Sequence, residues 1–223
     1  MPETDDRLAV ITGDIVKSSA LSETEFEAVM QALETAGRAI AAWPGVQKLD
    51  YERFRGDGWQ LVLAPAVFGL RAALIMRAAV RSAVAASETR LALGIGPGTR
   101  GSSPGTSAGP AFERSGQALD ALARHRLWAF GGTLGDSCVD QLTDGLLGLA
   151  DERSQAWTAR QADIAARLLA PAAPSMAALA DACGLRPQTV SSHFARAGGH
   201  ALQDAVERFE TVTGHIGRAA AKD

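Results

Sequence analysis

The sequence is poor in the features that would carry a chain across a membrane, staple it with disulfides or bind it to polyanions. Arg71, Arg77 and Arg81 interrupt its most apolar stretch, so there is no run of roughly 18 apolar residues such as a membrane span needs. The residues from Met1 to Arg7 are acidic and the apolar run after them is short, which argues against a secretory signal and predicts a cytoplasmic protein. Cysteine is nearly absent. Cys138 and Cys183 could form one pair, but with so few thiols and no export signal, two reduced side chains are expected. Aromatic residues make up 5% of a chain rich in alanine, which disfavours an all-β fold and predicts close-packed helices. The formal charge is -3, and basic and acidic residues balance over 151–223, so strong nonspecific nucleic-acid binding is not indicated, while a small specific contact surface is compatible with this balance. His125, His193, His200 and His215 have no metal-ligand spacing, and the G-x-G pieces of 94–109 form neither a P-loop nor a dinucleotide fingerprint.

With 47% hydrophobic and 21% charged residues, the chain reads as an ordinary globular one with enough length for a good core. Residues 7–16 form a β-branched apolar run that ends in Gly13-Asp14, the pattern of a buried strand. Ser22 and Glu25 make a capping box for a helix that runs to Trp43 and stops at Pro44-Gly45. Residues 46–55 and 59–63 read as two strands around Gly56-Asp57-Gly58, a hairpin signal. A second helix is expected from Pro65 to Ser87, a fourth strand over 90–95, a third helix over 111–126 and a short fifth strand over 127–130. The order β-α-β-β-α-β, with the hairpin at its centre, predicts an α+β fold of the ferredoxin-like, split βαβ kind. Beyond Asp136 the pattern is helical: 137–150, 156–169, then a break at 171–174. From Ser175 the spacing of Ala180, Gly184 and Val190 matches a helix-turn-helix, closed by a helix over 201–212. The organisation expected is 1–135 as an α+β domain, 136–174 as a helical connector and 175–223 as the helix-turn-helix domain.

That topology brings Asp14, at the end of strand one, to Asp57 in the hairpin turn. Two converging carboxylates repel unless a cation holds them, and hard oxygen ligands suit Mg²⁺ or Mn²⁺, with the Ile15 carbonyl as a third donor. Lys17, Ser18, Ser19 and the local amides can hold a phosphate beside the positive end of the helix that follows. Such an assembly suits a nucleotide. Gly-Asp and Asp-Gly pairs also occur simply as turns, which is the competing structural explanation.

The segments TGDIVKSSALSE (12–23), FRGDGWQLVL (54–63), RLALGIGPG (90–98) and GPAFERSGQALDAL (109–122) resemble the nucleotidyl cyclase and GGDEF superfamily, and within it the SatD family. That resemblance implies a palm-like fold, with Asp14 and Asp57 at the positions of the two metal-binding aspartates. It places Arg53, four before Asp57, where cyclases often carry a purine-reading lysine. It also marks departures: Glu113 and Gln117 stand where an Asn and an Arg orient ribose and phosphates in active cyclases. Conventional cyclase turnover is therefore not expected, since Gln117 brings no positive charge to a transferring phosphate.

The predicted second helix of the helix-turn-helix presents Gln188, Thr189, Ser192, His193 and Arg196 to base edges or phosphates. Such helix pairs also serve packing or dimerisation alone. The reading reached is a regulator, expected to be a homodimer, that binds a nucleotide with Mg²⁺ in a degenerate cyclase-like domain and specific DNA through its C-terminal helices. The alternative is an active cyclase or nucleotidyltransferase that uses Arg53, Arg55 and Arg114 as its cations.

Overall fold

In a computed structural model of the chain, residues 7–54, 56–99, 101 and 106–220 are described. Five strands form one sheet: β1 (Leu8–Ile15), β2 (Lys48–Phe54), β3 (Gly58–Ala64), β4 (Thr89–Gly96) and β5 (Trp128–Phe130). Their order is β2-β3-β1-β4-β5. β1 lies between β3 and β4 and is antiparallel to both; only β4 and β5 run parallel. Helices α1 (Glu23–Ala41) and α2 (Gly69–Ala83) cover one face, and α3 (Pro110–Asp120) lies on the other.

Strand alternation decides what each face receives. Ala9, Ile11 and Ile15 of β1 meet Val29, Met30 and Leu33 of α1 and Leu74 of α2, whereas Leu8 and Val10 pack with Val62 and Ala111 beneath α3. Full burial of side chains such as Ile11 or Leu61 stabilises by about 1.5–3 kcal/mol each. Gly13 permits one close approach, because a Cβ there would stand 2.6 Å from the Trp59 ring. The buried indole therefore lies directly against the β1 backbone.

The boundaries of α2 and α3 differ from those expected. Pro65 does not open α2: it is extended, a 3-10 turn at Ala66–Phe68 tucks Ala66 into the core, and the α-helix starts at Gly69. α2 ends at Ala83, where Val84 turns extended, and the chain folds back through the Ser87 amide, which donates to the Val84 carbonyl. The third helix stops at Asp120, short of Arg126.

Beyond the sheet lie α4 (Ser137–Gln155), α5 (Ala159–Leu168), α6 (Met176–Cys183), α7 (Pro187–Arg196) and α8 (Gly199–Ala220). α4 and α8 are longer than the sequence pattern indicates. The extra turns are held by tertiary contacts: Asp151 near the end of α4 pairs with Arg77, and the carbonyl of Thr213 in α8 accepts from Arg7. Leu179, Val190, Phe194, Val206 and Phe209 of the last three helices belong to the same apolar cluster as Leu33 and Trp59. Polar ties cross as well, from Arg71 to Glu210 and to the Leu169 carbonyl, and from Arg81 to the Trp157 carbonyl. No described helix is long and apolar enough to cross a membrane. Both cysteines are free thiols.

Candidate functional site

Asp14 stands on the face of β1 that carries Thr12, away from α1 and α2. In the ladder it lies opposite Gly58, so the hairpin residue next to Gly58, Asp57, comes to the same edge. Both carboxylates line a cavity of about 540 Å³ together with Thr12, Glu52, Phe54, Gln60, Phe112 and Asp120. That volume suits a small ligand, and Phe54 and Phe112 give it two aromatic surfaces. The cavity roof is fixed to the sheet by a buried bond between the Thr12 and Ser115 hydroxyls at 2.7 Å, and Gln60 donates to Thr12 at 3.0 Å.

The two aspartates are held differently. Arg90, opposite Asp14 in the β1–β4 register, forks onto it: Nε donates to Oδ1 at 2.9 Å and a second guanidinium nitrogen donates to Oδ2. Asp57 instead accepts one short bond of 2.5 Å from the Ser18 hydroxyl. The hydrogen bond to Asp14 raises the Arg90 pKa most, against the cost of desolvation, and the charges of Asp14, Asp57 and Asp120 add to it. The cavity lining carries four carboxylates, Asp14, Glu52, Asp57 and Asp120, and among the described lining residues no lysine or arginine.

Asp14 also has a backbone anchor. The Thr89 hydroxyl donates to its carbonyl at 2.7 Å and accepts from Trp59 Nε1 at 3.0 Å, a chain that fixes the end of β1 from beneath. After Ile15 the strand stops, because Lys17 takes a left-handed conformation (φ 52) and a 3-10 turn, Ser18–Ala20, carries the chain away. Ile15 is buried at the strand end, Lys17 and Ser19 are exposed, and Ser18 points back to Asp57. The amide end of α1 is less open to a phosphate than expected. Ser22 and Glu25 satisfy its donors reciprocally, and Glu23 and Glu25 already place negative charge on the first turn.

The expected cations do not gather in the cavity. Arg53 shares the strand parity of Leu49 and Tyr51, and so faces α1, where it forks onto Glu27 at 3.0 and 3.1 Å and lies over the Phe26 ring. Arg114 belongs to the side of α3 that meets the loop after β5, since its carbonyl and the Ala118 side chain crowd Gly131, while Phe112, Gly116 and Leu119 line the cavity. Arg55 falls outside the described residues. Glu113 and Gln117 are exposed on α3. The cation the structure does bring to the aspartates is Arg90, which sequence reasoning missed. Its position becomes visible only once β1 and β4 are paired in register.

Asp14, at the end of β1, and Asp57, in the hairpin turn, are hard oxygen donors of the type that divalent cations take. Among the described residues no group of three His, Cys, Asp or Glu side chains could hold a metal, so water and ligand oxygens would complete a six-oxygen shell.

The second candidate surface is α7. Gly184 (φ 64) provides the left-handed turn between α6 and α7, and Ala180 and Val190 are buried where the two helices meet. Gln188, Ser192 and Arg196 are exposed at i, i+4 and i+8, while Thr189 and His193 are half-buried. No acidic residue occurs between Asp181 and Asp204, a stretch that contains Arg186, His193, Arg196 and His200.

No family model and no curated protein matches this chain. Among solved structures, the guanylyl cyclase Cya2 is similar in fold at 18% identity and a TM-score of 0.41, over 57% of this chain and 77% of its own.

Proposed function

We propose that the cavity binds a nucleotide together with Mg²⁺ or Mn²⁺ without turning it over, and that α7 is the DNA-reading helix of a helix-turn-helix. The protein is then a ligand-responsive regulator. One observation carries the first half: Asp14 and Asp57 converge on a cavity of about 540 Å³ that also offers two phenylalanines. The ferredoxin-like, palm-type reading belongs to this proposal and the antiparallel order β2-β3-β1-β4 supports it, whereas the SatD resemblance is carried by the sequence segments alone. A homodimer that reads two half-sites is part of it too.

In this reading Asp14, Asp57 and the Ile15 carbonyl hold the cation, and Phe54 or Phe112 packs on the base. The cation supplies positive charge to the ligand's phosphates, which the carboxylate-rich lining lacks. Against turnover stands the placement of Arg53 and Arg114, neither of which lines the cavity to add the positive charge that phosphoryl transfer needs.

Thermal denaturation with ATP, GTP, CTP and UTP, each with Mg²⁺ or with EDTA, tests this half. A ligand at about 100 times its Kd stabilises by about 2.7 kcal/mol, enough to raise the melting temperature by several degrees. We expect one nucleotide to give that shift only with the metal, to be recovered intact by chromatography, and to lose its effect in Asp57→Asn. Recovery of a cyclised or transferred product would replace the sensor with an enzyme. No shift with any nucleotide would sink the binding reading. For α7, DNA selected from a random pool should bind with an affinity that drops in Gln188→Ala and Arg196→Ala, by about 1–3 kcal/mol for a side chain that reads a base. Full binding by the double variant would remove α7 from the interface.

A further inference from the structure

We infer that Arg90 is an internal stand-in for the cation: it holds Asp14 until a divalent ion takes that carboxylate, and then turns to bind the anionic part of the ligand. The inference rests on the reading of the cleft as a site for a metal and a phosphate-bearing ligand.

The cleft poses an electrostatic problem. Asp14, Glu52, Asp57 and Asp120 line it, so an anion approaching on its own meets the repulsion of four carboxylates. Arg90 lies next to this lining and already feels three of those charges, Asp14, Asp57 and Asp120. Its fork engages both oxygens of Asp14, the atoms a metal would need. Asp57 is differently disposed, with one oxygen on Ser18 and the other outside that bond. An arriving ion would meet Asp57 first and take Asp14 second.

The geometry makes the exchange inexpensive. The Arg90 side chain is 46% exposed and that of Asp14 22%, so solvent screens the pair and can take up the guanidinium when it lets go. A divalent ion offers Asp14 more charge than a guanidinium does. The released guanidinium keeps its charge at any working pH and presents a planar fork, the geometry that grips phosphate oxygens in pairs. Its strand neighbours hold the backbone in place throughout, since Arg90 sits inside the β1–β4 ladder. The cleft therefore admits its ligands in order, cation before anion.

The test uses Mn²⁺ alone, followed by free-ion electron paramagnetic resonance, and inorganic tripolyphosphate as the anion. Wild type, Arg90→Ala, Arg90→Lys and Asp57→Asn are compared. Arg90→Ala should bind Mn²⁺ without any anion several-fold more tightly than wild type, because its competitor is gone. With Mn²⁺ saturating, the same variant should bind tripolyphosphate about tenfold more weakly, matching the loss of a charged hydrogen-bonding partner. Arg90→Lys should recover only part of the anion affinity. Mn²⁺ affinity equal in wild type and Arg90→Ala, or tripolyphosphate affinity unchanged by Arg90→Ala, overturns the exchange while leaving the cleft's ligand class standing. No Mn²⁺ binding by any of the proteins overturns the reading of the cleft, and the exchange with it.

Discussion

Replacing Asp151 with alanine is expected to cost about 3–5 kcal/mol, the loss that follows when one partner of a buried ion pair is removed. Asp151 is 2% exposed and serves four donors: Arg77, Gln155 and the backbone amides of Leu127 and Trp128. Arg77 is equally enclosed, with Glu88 as its other carboxylate and the Trp128 ring over its guanidinium. Burial lowers the Arg77 pKa, and the charges of Glu88 and Asp151 oppose that shift. Alanine would leave this charge with half its compensation and two amides with no acceptor. Urea denaturation measures the loss, read as a change of midpoint at constant slope. The double variant Arg77→Met with Asp151→Leu should recover only the share due to the uncompensated charge, because an apolar pair avoids that desolvation cost while the Leu127 and Trp128 amides still lack their acceptor. A loss below about 1 kcal/mol in Asp151→Ala, in the range of an exposed pair, would contradict this account.

Trp59→Ala should be comparably damaging, at about 3–5 kcal/mol, and should also reach the cleft. The indole is fully buried, its ring fills the space above Gly13, and its N–H holds the Thr89 hydroxyl that supports the Asp14 carbonyl. The cavity left behind lies under the strand end that carries Asp14. Trp59→Phe retains a ring against Gly13 and loses the donor, so it should cost less while still loosening Asp14. Equilibrium unfolding gives the first effect, and Mn²⁺ affinity of the still-folded phenylalanine variant gives the second. Mn²⁺ affinity that is unchanged in Trp59→Phe would mean that the Thr89 chain does not position Asp14.

The sequence is informative where periodicity and capping act locally. The Ser22–Glu25 capping box, the Asp57 hairpin and the alternation of β1 all concern residues a few positions apart, and each element appears within a few residues of its expected place. The cleft's cations are another matter. The cyclase resemblance places Arg53 at the site, yet strand parity with Leu49 and Tyr51 turns it toward α1, a signal present in the run KLDYERF. Arg114 depends on which side of α3 meets the β5 loop, which no local pattern states. Arg90 depends on the pairing of two strands that are 75 residues apart at the Thr89–Asp14 bond. Asp151 and Arg77 are 74 residues apart, so neither reads as buried until α4 is set beside α2. Local rules fix the elements, and long-range register decides which charges meet.

The outer margin of β5 bears on how the molecule behaves in a crowded solution. An edge strand normally presents a row of unused amides, the template on which a strand from another chain can add. Here the Phe130 amide donates to Asp144, and the Leu127 and Trp128 amides donate to Asp151. Two side chains of one helix thus answer the margin as a neighbouring strand would, and Arg126 grips Asp144 from the other side. With those donors engaged, a sixth strand would have to displace charged acceptors before it could pair, which protects this side of the sheet from fibril-like growth.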